Sequence, residues 1–237
     1  MNEADTFSPV ATSRLLVRRA RTAAMATIAR RTGHPFGSLV TVACEPDGSP
    51  IVLLSTLAAH SRNLAEDPRA SLLFVEGGLG DPQQGGRVTL VGRIERIDGD
   101  TVQRRRYLTR NPDAGLYAGF GDFAFFRLEL DDCHLVGGFG KAMRVRREDF
   151  LLDCSASTAL TASEGRILAA LSETPGRVAA WVAKLGAPAG DWAVTGVDPE
   201  GLDLATTAEE GRAFARLVLP SPAHTPEELF AALVSWE

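Results

Sequence analysis

Leu53–Leu73 reads LLSTLAAHSRNLAEDPRASLL. An apolar strand ends near Ser55, a short helix occupies 61–66, and Asp67-Pro68 stops it before a second apolar strand over Ala70–Glu76. A helix that opens at His60-Ser61-Arg62-Asn63 presents free backbone N–H groups and a partial positive charge at its start. A hydroxyl, a guanidinium and an amide gathered there suit an anionic group such as a phosphate. The plainer alternative is that Ser61 caps a short helix and Arg62 points into water.

Outward from this stretch the period is mostly that of strands. Gly37–Cys44 and Pro50–Thr56 flank the turn Glu45-Pro46-Asp47-Gly48 and predict a hairpin, and Arg87–Ile97 predicts a long strand after the loop 77–86. A helix near 100–110 and a shorter one after Asn111-Pro112 precede strands over Phe123–Leu130 and Cys133–Gly138. Consecutive strands with few crossover helices indicate an antiparallel barrel rather than a doubly wound sheet. Ahead of the strands, residues 12–32 read as one helix, with Leu16, Ala20, Ala23 and Thr27 on a stripe and Gly33 before His34-Pro35 at its end.

The second half reads differently. Helices over Ser163–Leu171 and Arg177–Leu185 precede a hairpin, Trp192–Val197 and Leu202–Thr206, and a third strand, Arg212–Leu219. Thr225-Pro226-Glu227-Glu228 is a capping box that opens a final helix. The expected fold class is therefore α+β: an N-terminal antiparallel β-barrel over 1–152, which the resemblance given below makes a split β-barrel, and a small α+β domain over 153–237.

Charge supports that division. Of 237 residues, 45% are hydrophobic and 23% charged, enough for a full core and against a disordered chain. Residues 1–152 carry 20 basic and 18 acidic side chains and residues 153–237 carry 5 and 12, so the halves stand at +2 and −7. The helical arginines Arg14, Arg18, Arg19, Arg21, Arg30 and Arg31 read as a solvated face, not a phosphate-tracking surface, because no aromatic is interleaved and the chain is acidic. No nucleic-acid partner is expected. No apolar run approaches the ~20 residues of a membrane helix, so no membrane is expected either. The N-terminus lacks a signal-peptide pattern, and Cys44, Cys133 and Cys154 have no paired spacing, which predicts a reduced, cytoplasmic protein. His34, His60, His134 and His224 are dispersed, without the spacing of a zinc site.

The Ser61-Arg62-Asn63 triplet followed by Asp67-Pro68-Arg69-Ala70-Ser71-Leu72-Leu73 resembles the flavin-phosphate segment of the pyridoxamine 5′-phosphate oxidase-like split-barrel family. A narrower resemblance is to that family's HugZ-type haem-utilisation branch. It rests on Leu57-Ala58-Ala59-His60-Ser61-Arg62-Asn63, on Val136-Gly137-Gly138-Phe139-Gly140-Lys141-Ala142, and on Thr195-Gly196-Val197-Asp198-Pro199-Glu200-Gly201. The triplet's lysine is Asn63 here, and Leu168–Pro175 lacks the histidines that relatives carry on the matching helix.

The resemblance implies a homodimer with FMN in the groove between subunits and oxidoreductase-type chemistry. Ser61, Arg62 and Asn63 would hold the phosphate with His60 and Ser55 beside them, while Ser38 and Arg87 would lie near the ring or ribityl chain. No general acid or base is identifiable. The same groove could instead take haem, bound or broken down, with arginines against the propionates and His224 as candidate iron ligand. A third implication is a non-catalytic module that binds a tetrapyrrole-pathway enzyme, with the acidic half as docking surface.

Overall fold

The structure, a computed structural model, describes residues 7–77, 84–99, 101–138, 142–207, 211–234 and 236. The first helix, α1 (Pro9–Arg19), opens on Ser8, whose hydroxyl accepts from the Ala11 N–H, and it ends at Ala20, where the backbone becomes extended. The chain then enters strand β1 (Thr22–Ile28), so the single helix expected over 12–32 is a helix and a strand. The Ala23 and Thr27 positions that fit a helical stripe also fit alternation, and Ala23, Met25 and Thr27 are all buried. β1 is hydrogen-bonded on both sides, to β2 (Pro35–Cys44) and β4 (Arg69–Val75), and those two ladders override the helix preference of its alanines.

β3 (Pro50–Ser55) and α2 (Ala59–Glu66) lie between β2 and β4. β5 (Gly86–Ile97), α3 (Val102–Arg110), a 3-10 turn over Pro112–Leu116, β6 (Phe123–Gly137) and β7 (Ala142–Val145) follow. The strand order is β3-β2-β1-β4-β5-β6-β7, with antiparallel neighbours, and β3 also pairs with β6. Six strands thus close into a barrel and β7 extends it. Closure leaves no free edge among the six. Inward residues such as Val42, Leu72, Phe74, Val88, Leu90 and Leu128 are buried together in its core.

Where two strands were expected, β6 is continuous. The break read between Leu130 and Cys133 is a bulge: Asp132 faces Val91 and Leu130 faces Gly92, so Asp131 is the extra residue.

After α4 (Arg147–Phe150) come a 3-10 turn over Ser155–Ser157, α5 (Thr158–Ala162), α6 (Glu164–Ser172) and α7 (Pro175–Lys184). β8 (Trp192–Asp198), β9 (Gly201–Thr206) and β10 (Phe214–Val218) form a second antiparallel sheet in the order β10-β9-β8. α8 (Pro226–Val234) closes over it, and Trp181, Val197, Leu204, Leu217 and Leu229 make a separate core. At the start of α8 the Thr225 hydroxyl accepts from the Glu228 N–H at 3.2 Å, while the Glu228 carboxylate accepts from the His224 N–H at 2.7 Å. Thr225→Ala should cost about 1 kcal/mol of stability, read as a lower urea midpoint with unchanged slope.

The solvated arginine face needs correction. Arg18 is fully buried and meets Asp198 at 3.0 Å, and Arg14 is ion-paired to Glu200. From the barrel side Arg106 pairs with Glu164 and donates to the Val197 carbonyl at 2.9 Å. Arg110 donates to the Arg18 carbonyl at 2.6 Å, with its guanidinium 4.4 Å from the Phe214 ring centre. The acidic surplus of the second half therefore faces the arginines of the first, and the charge asymmetry read from sequence joins the two sheets. No helix among the described residues is long and apolar enough to cross a membrane.

Candidate functional site

α2 leaves the end of β3 and lies against β1 and β2. Its N-cap, Ala58, has no side chain able to cap, and the first-turn N–H groups of Ala59, His60 and Ser61 meet no acceptor among the described residues. Two hollows flank this first turn. One, of about 330 Å³, lies between β2 and β3 and is lined by Leu39, Thr41, Leu53, Ser55, Tyr117 and Phe123, with His60 at its edge. The other, of about 340 Å³, lies between α2 and the β1–β2 turn and carries Arg30, Arg31 and Arg62 beside Phe36. One hollow is apolar with an aromatic wall, and the other is cationic.

Ser38 and His60 meet across this corner, Ser38 Oγ to His60 Nδ1 at 3.2 Å. His60 Nε2 is shielded from water and has no partner, as is the Ser61 hydroxyl. Burial pushes the His60 pKa below the ordinary histidine value, so the ring is neutral at pH 7. An unpaired buried polar atom costs ~1–3 kcal/mol, so two at one corner mark a place where a ligand has something to satisfy.

The other expected residues fall into three groups. Arg62 is exposed and makes no ion pair among the described residues, which leaves its guanidinium available. Ser55 and Asn63 face protein groups. Ser55 Oγ donates to Asp122 at 2.7 Å and accepts from the Leu57 N–H, which fixes the turn into α2. The Asn63 amide is buried, donating to Thr27 Oγ1 at 3.1 Å and accepting from the Arg30 N–H at 3.1 Å. Arg87 and His224 stand apart. Arg87 sits on β5, three strands around the barrel from Ser38, opposite Val75 and Val136. His224 Nδ1 is hydrogen-bonded to Ser157 at 2.8 Å at the head of α8 and lines neither hollow. Of the glycine-rich turn, Phe139, Gly140 and Lys141 lie outside the described residues, as do 78–83 of the loop 77–86.

Sequence reading missed Arg30, Arg31, Tyr117 and Phe123. The two arginines were hidden by the helix assigned over 12–32. A strand assignment for TAAMATI would have turned Gly33-His34-Pro35 into a hairpin and brought both toward α2.

Residues 6–151 match the CREG β-barrel family. The Agrobacterium tumefaciens protein Atu2129, of unknown function, is 30% identical over 99% of this chain and 97% of its own, with a TM-score of 0.86. A heme binding protein from Mycobacterium smegmatis is 30% identical over 97% of this chain and 96% of its own, with a TM-score of 0.58. A chloroplastic non-canonical heme oxygenase of Arabidopsis thaliana is 34% identical over 141 residues, 57% of this chain. The chain spans 42% of that relative's length.

Proposed function

This chain belongs to the CREG β-barrel family, and from that premise we propose that it is a haem-binding protein whose ligand lies at the α2 corner. The supporting observation is the pairing of an apolar, aromatic-walled hollow with a cationic one across the first turn of α2. A haem is a flat apolar ring with two carboxylates on one edge. The ring matches Leu39, Tyr117 and Phe123, and the carboxylates match the guanidinium groups of Arg30, Arg31 and Arg62. His60 adds a neutral imidazole with an unpartnered Nε2, the chemical form that binds haem iron. His60 fits that role better than His224, which lines neither hollow. Two relatives described by haem, one similar over nearly its whole length, agree with this reading.

The protein acts as a homodimer in this proposal. Leu39, which lines the apolar hollow, is 75% exposed, and Leu57, Leu116 and Phe120, close in the chain to its lining residues, are 59–82% exposed; a second copy would cover them. The residue division at 152 and a cytoplasmic location belong to the same proposal.

A second reading retains FMN with oxidoreductase chemistry. It is favoured by the three free N–H groups and the Ser61 hydroxyl at the start of α2, which suit a phosphate monoester. The Asn63 amide, turned inward, would not be among its ligands. Absorption spectroscopy separates the two. Titration with haemin is expected to give a shifted Soret band, weakened about tenfold or more in His60→Ala, a loss of roughly 1.4 kcal/mol. Flavin bands on the purified protein that disappear in Arg62→Ala while haemin fails to bind would replace haem by FMN. Decay of the Soret band under air with ascorbate would add breakdown to binding.

A further inference from the structure

The triplet resemblance makes Asn63 a ligand, yet its side chain faces the protein interior. Asn63 is 5% exposed and Thr27, its acceptor, 1%. From that position the amide ties three elements: its own helix α2, the end of β1 through Thr27, and the β1–β2 turn through the Arg30 N–H. Within itself the turn is held as a hairpin, by Ala29 N–H to the His34 carbonyl at 2.8 Å and by the Thr32 and Gly33 N–H groups to the Ala29 carbonyl at 3.1 and 2.7 Å. Those bonds fix its shape but not its lean toward or away from α2. Toward α2 the turn is tied by the exposed Arg30–Glu66 pair at 3.4 Å, which is weak in water, and by the buried Asn63 contact, which fixes the lean.

We infer that Asn63 is a positioning residue that holds the Arg30–Arg31 turn against α2, so that these arginines and Arg62 form one shelf selecting ligands with carboxylates. The inference rests on the proposed haem reading for its ligand class, but not for the construction of the shelf. Arg30 is shared with Glu66 at 3.4 Å, whereas Arg31 and Arg62 make no ion pair among the described residues. Two guanidinium groups are therefore available to carboxylates, provided the turn stays against the helix. A chain without the Asn63 contact retains the same charges, no longer convergent.

The test uses protoporphyrin IX, which has carboxylates and no iron, and its dimethyl ester, which has the ring without the charge. Binding is read by fluorescence in the full chain. Asn63→Leu is expected to weaken the acid about tenfold, the scale of one lost charge-assisted contact, and to leave the ester within about twofold. Arg31→Ala, harmful in the natural sequence, should add little in the Asn63→Leu background. Thr27→Val, which releases only one end of the amide, should show the same selectivity loss at smaller size and serves if Asn63→Leu folds poorly. Hydrogen exchange should show the Arg30 amide losing protection in Asn63→Leu.

Equal weakening of acid and ester, additive effects of Asn63→Leu and Arg31→Ala, or an Arg30 amide protected as before would each overturn the inference. If the natural protein binds neither macrocycle but binds FMN, and loses FMN about tenfold in Asn63→Leu, the shelf stands and the haem reading falls.

Discussion

Replacing Asp198 by asparagine is expected to lower the stability of the folded chain by about 3–5 kcal/mol. Asp198 is completely buried between Arg18 of α1, at 3.0 Å, and Arg216 of β10, which grips both its oxygens at 2.8 Å. Asp203 shares Arg216, at 2.8 Å. Asparagine keeps the shape and removes the charge, leaving two buried guanidinium groups with one carboxylate. A urea titration followed by tryptophan fluorescence checks the magnitude. A loss below about 1 kcal/mol, the range of surface pairs, would mean that the seam is hydrated in solution.

The pH dependence has a definite sign. Burial pushes the Asp198 carboxyl up, but Arg18 and Arg216 outweigh it and hold the pKa down at about 2. A carboxylate depressed in the folded state contributes stability that is complete above its unfolded value, ~3.9, and is lost as pH falls toward 2. The natural protein should therefore lose stability steeply between about pH 4 and pH 2, and Asp198→Asn should show a flatter profile over that range. Because the pair bridges the barrel and the second sheet, the first change on acidification should be separation of the two, visible as exposed apolar surface before far-UV circular dichroism is lost.

Gly92→Ala is expected to be nearly as damaging, through the backbone alone. A Cβ at Gly92 would lie 1.9 Å from the Glu129 carbonyl oxygen and 2.9 Å from its carbon. Neither atom can swing aside, since both belong to β6 at the point where the register shifts. The β5–β6 pair would have to open at the bulge, in the middle of a closed barrel where displacement on one strand propagates to its neighbours. Loss of soluble protein, or several kcal/mol lost in urea, is the expected result. Gly119→Ala is the control, as its Cβ would meet nothing within 4 Å. Equal tolerance of both would mean that the barrel yields at Gly92.

The elements legible in the sequence were those whose signals are local. The capping box at Thr225, the turn at Glu45–Gly48 and the stop at Asp67-Pro68 each depend on a few adjacent residues. β1 was illegible because TAAMATI satisfies helical and strand periodicity alike, and only its two neighbouring strands decide between them. Of the candidate residues, His60, Ser61 and Arg62 could be located from the start of α2. Asn63 could not be oriented, because a buried amide is indistinguishable in sequence from an exposed one.

By itself the sequence determined the α+β class, the run of strands, the change of character near residue 152 and a short helix opening near His60. These follow from periodicity, turn chemistry and charge counts, which the chain carries wherever it is placed. The tertiary structure alone decided which arginines line the hollow beside α2 and which face protein. Arg14 and Arg18 turn to the second sheet, while Arg30 and Arg31 turn to α2. The physical reason is that a guanidinium has no intrinsic direction. It points to whatever carboxylate, carbonyl or hollow the closed barrel brings within reach, across separations of up to 186 residues in the chain.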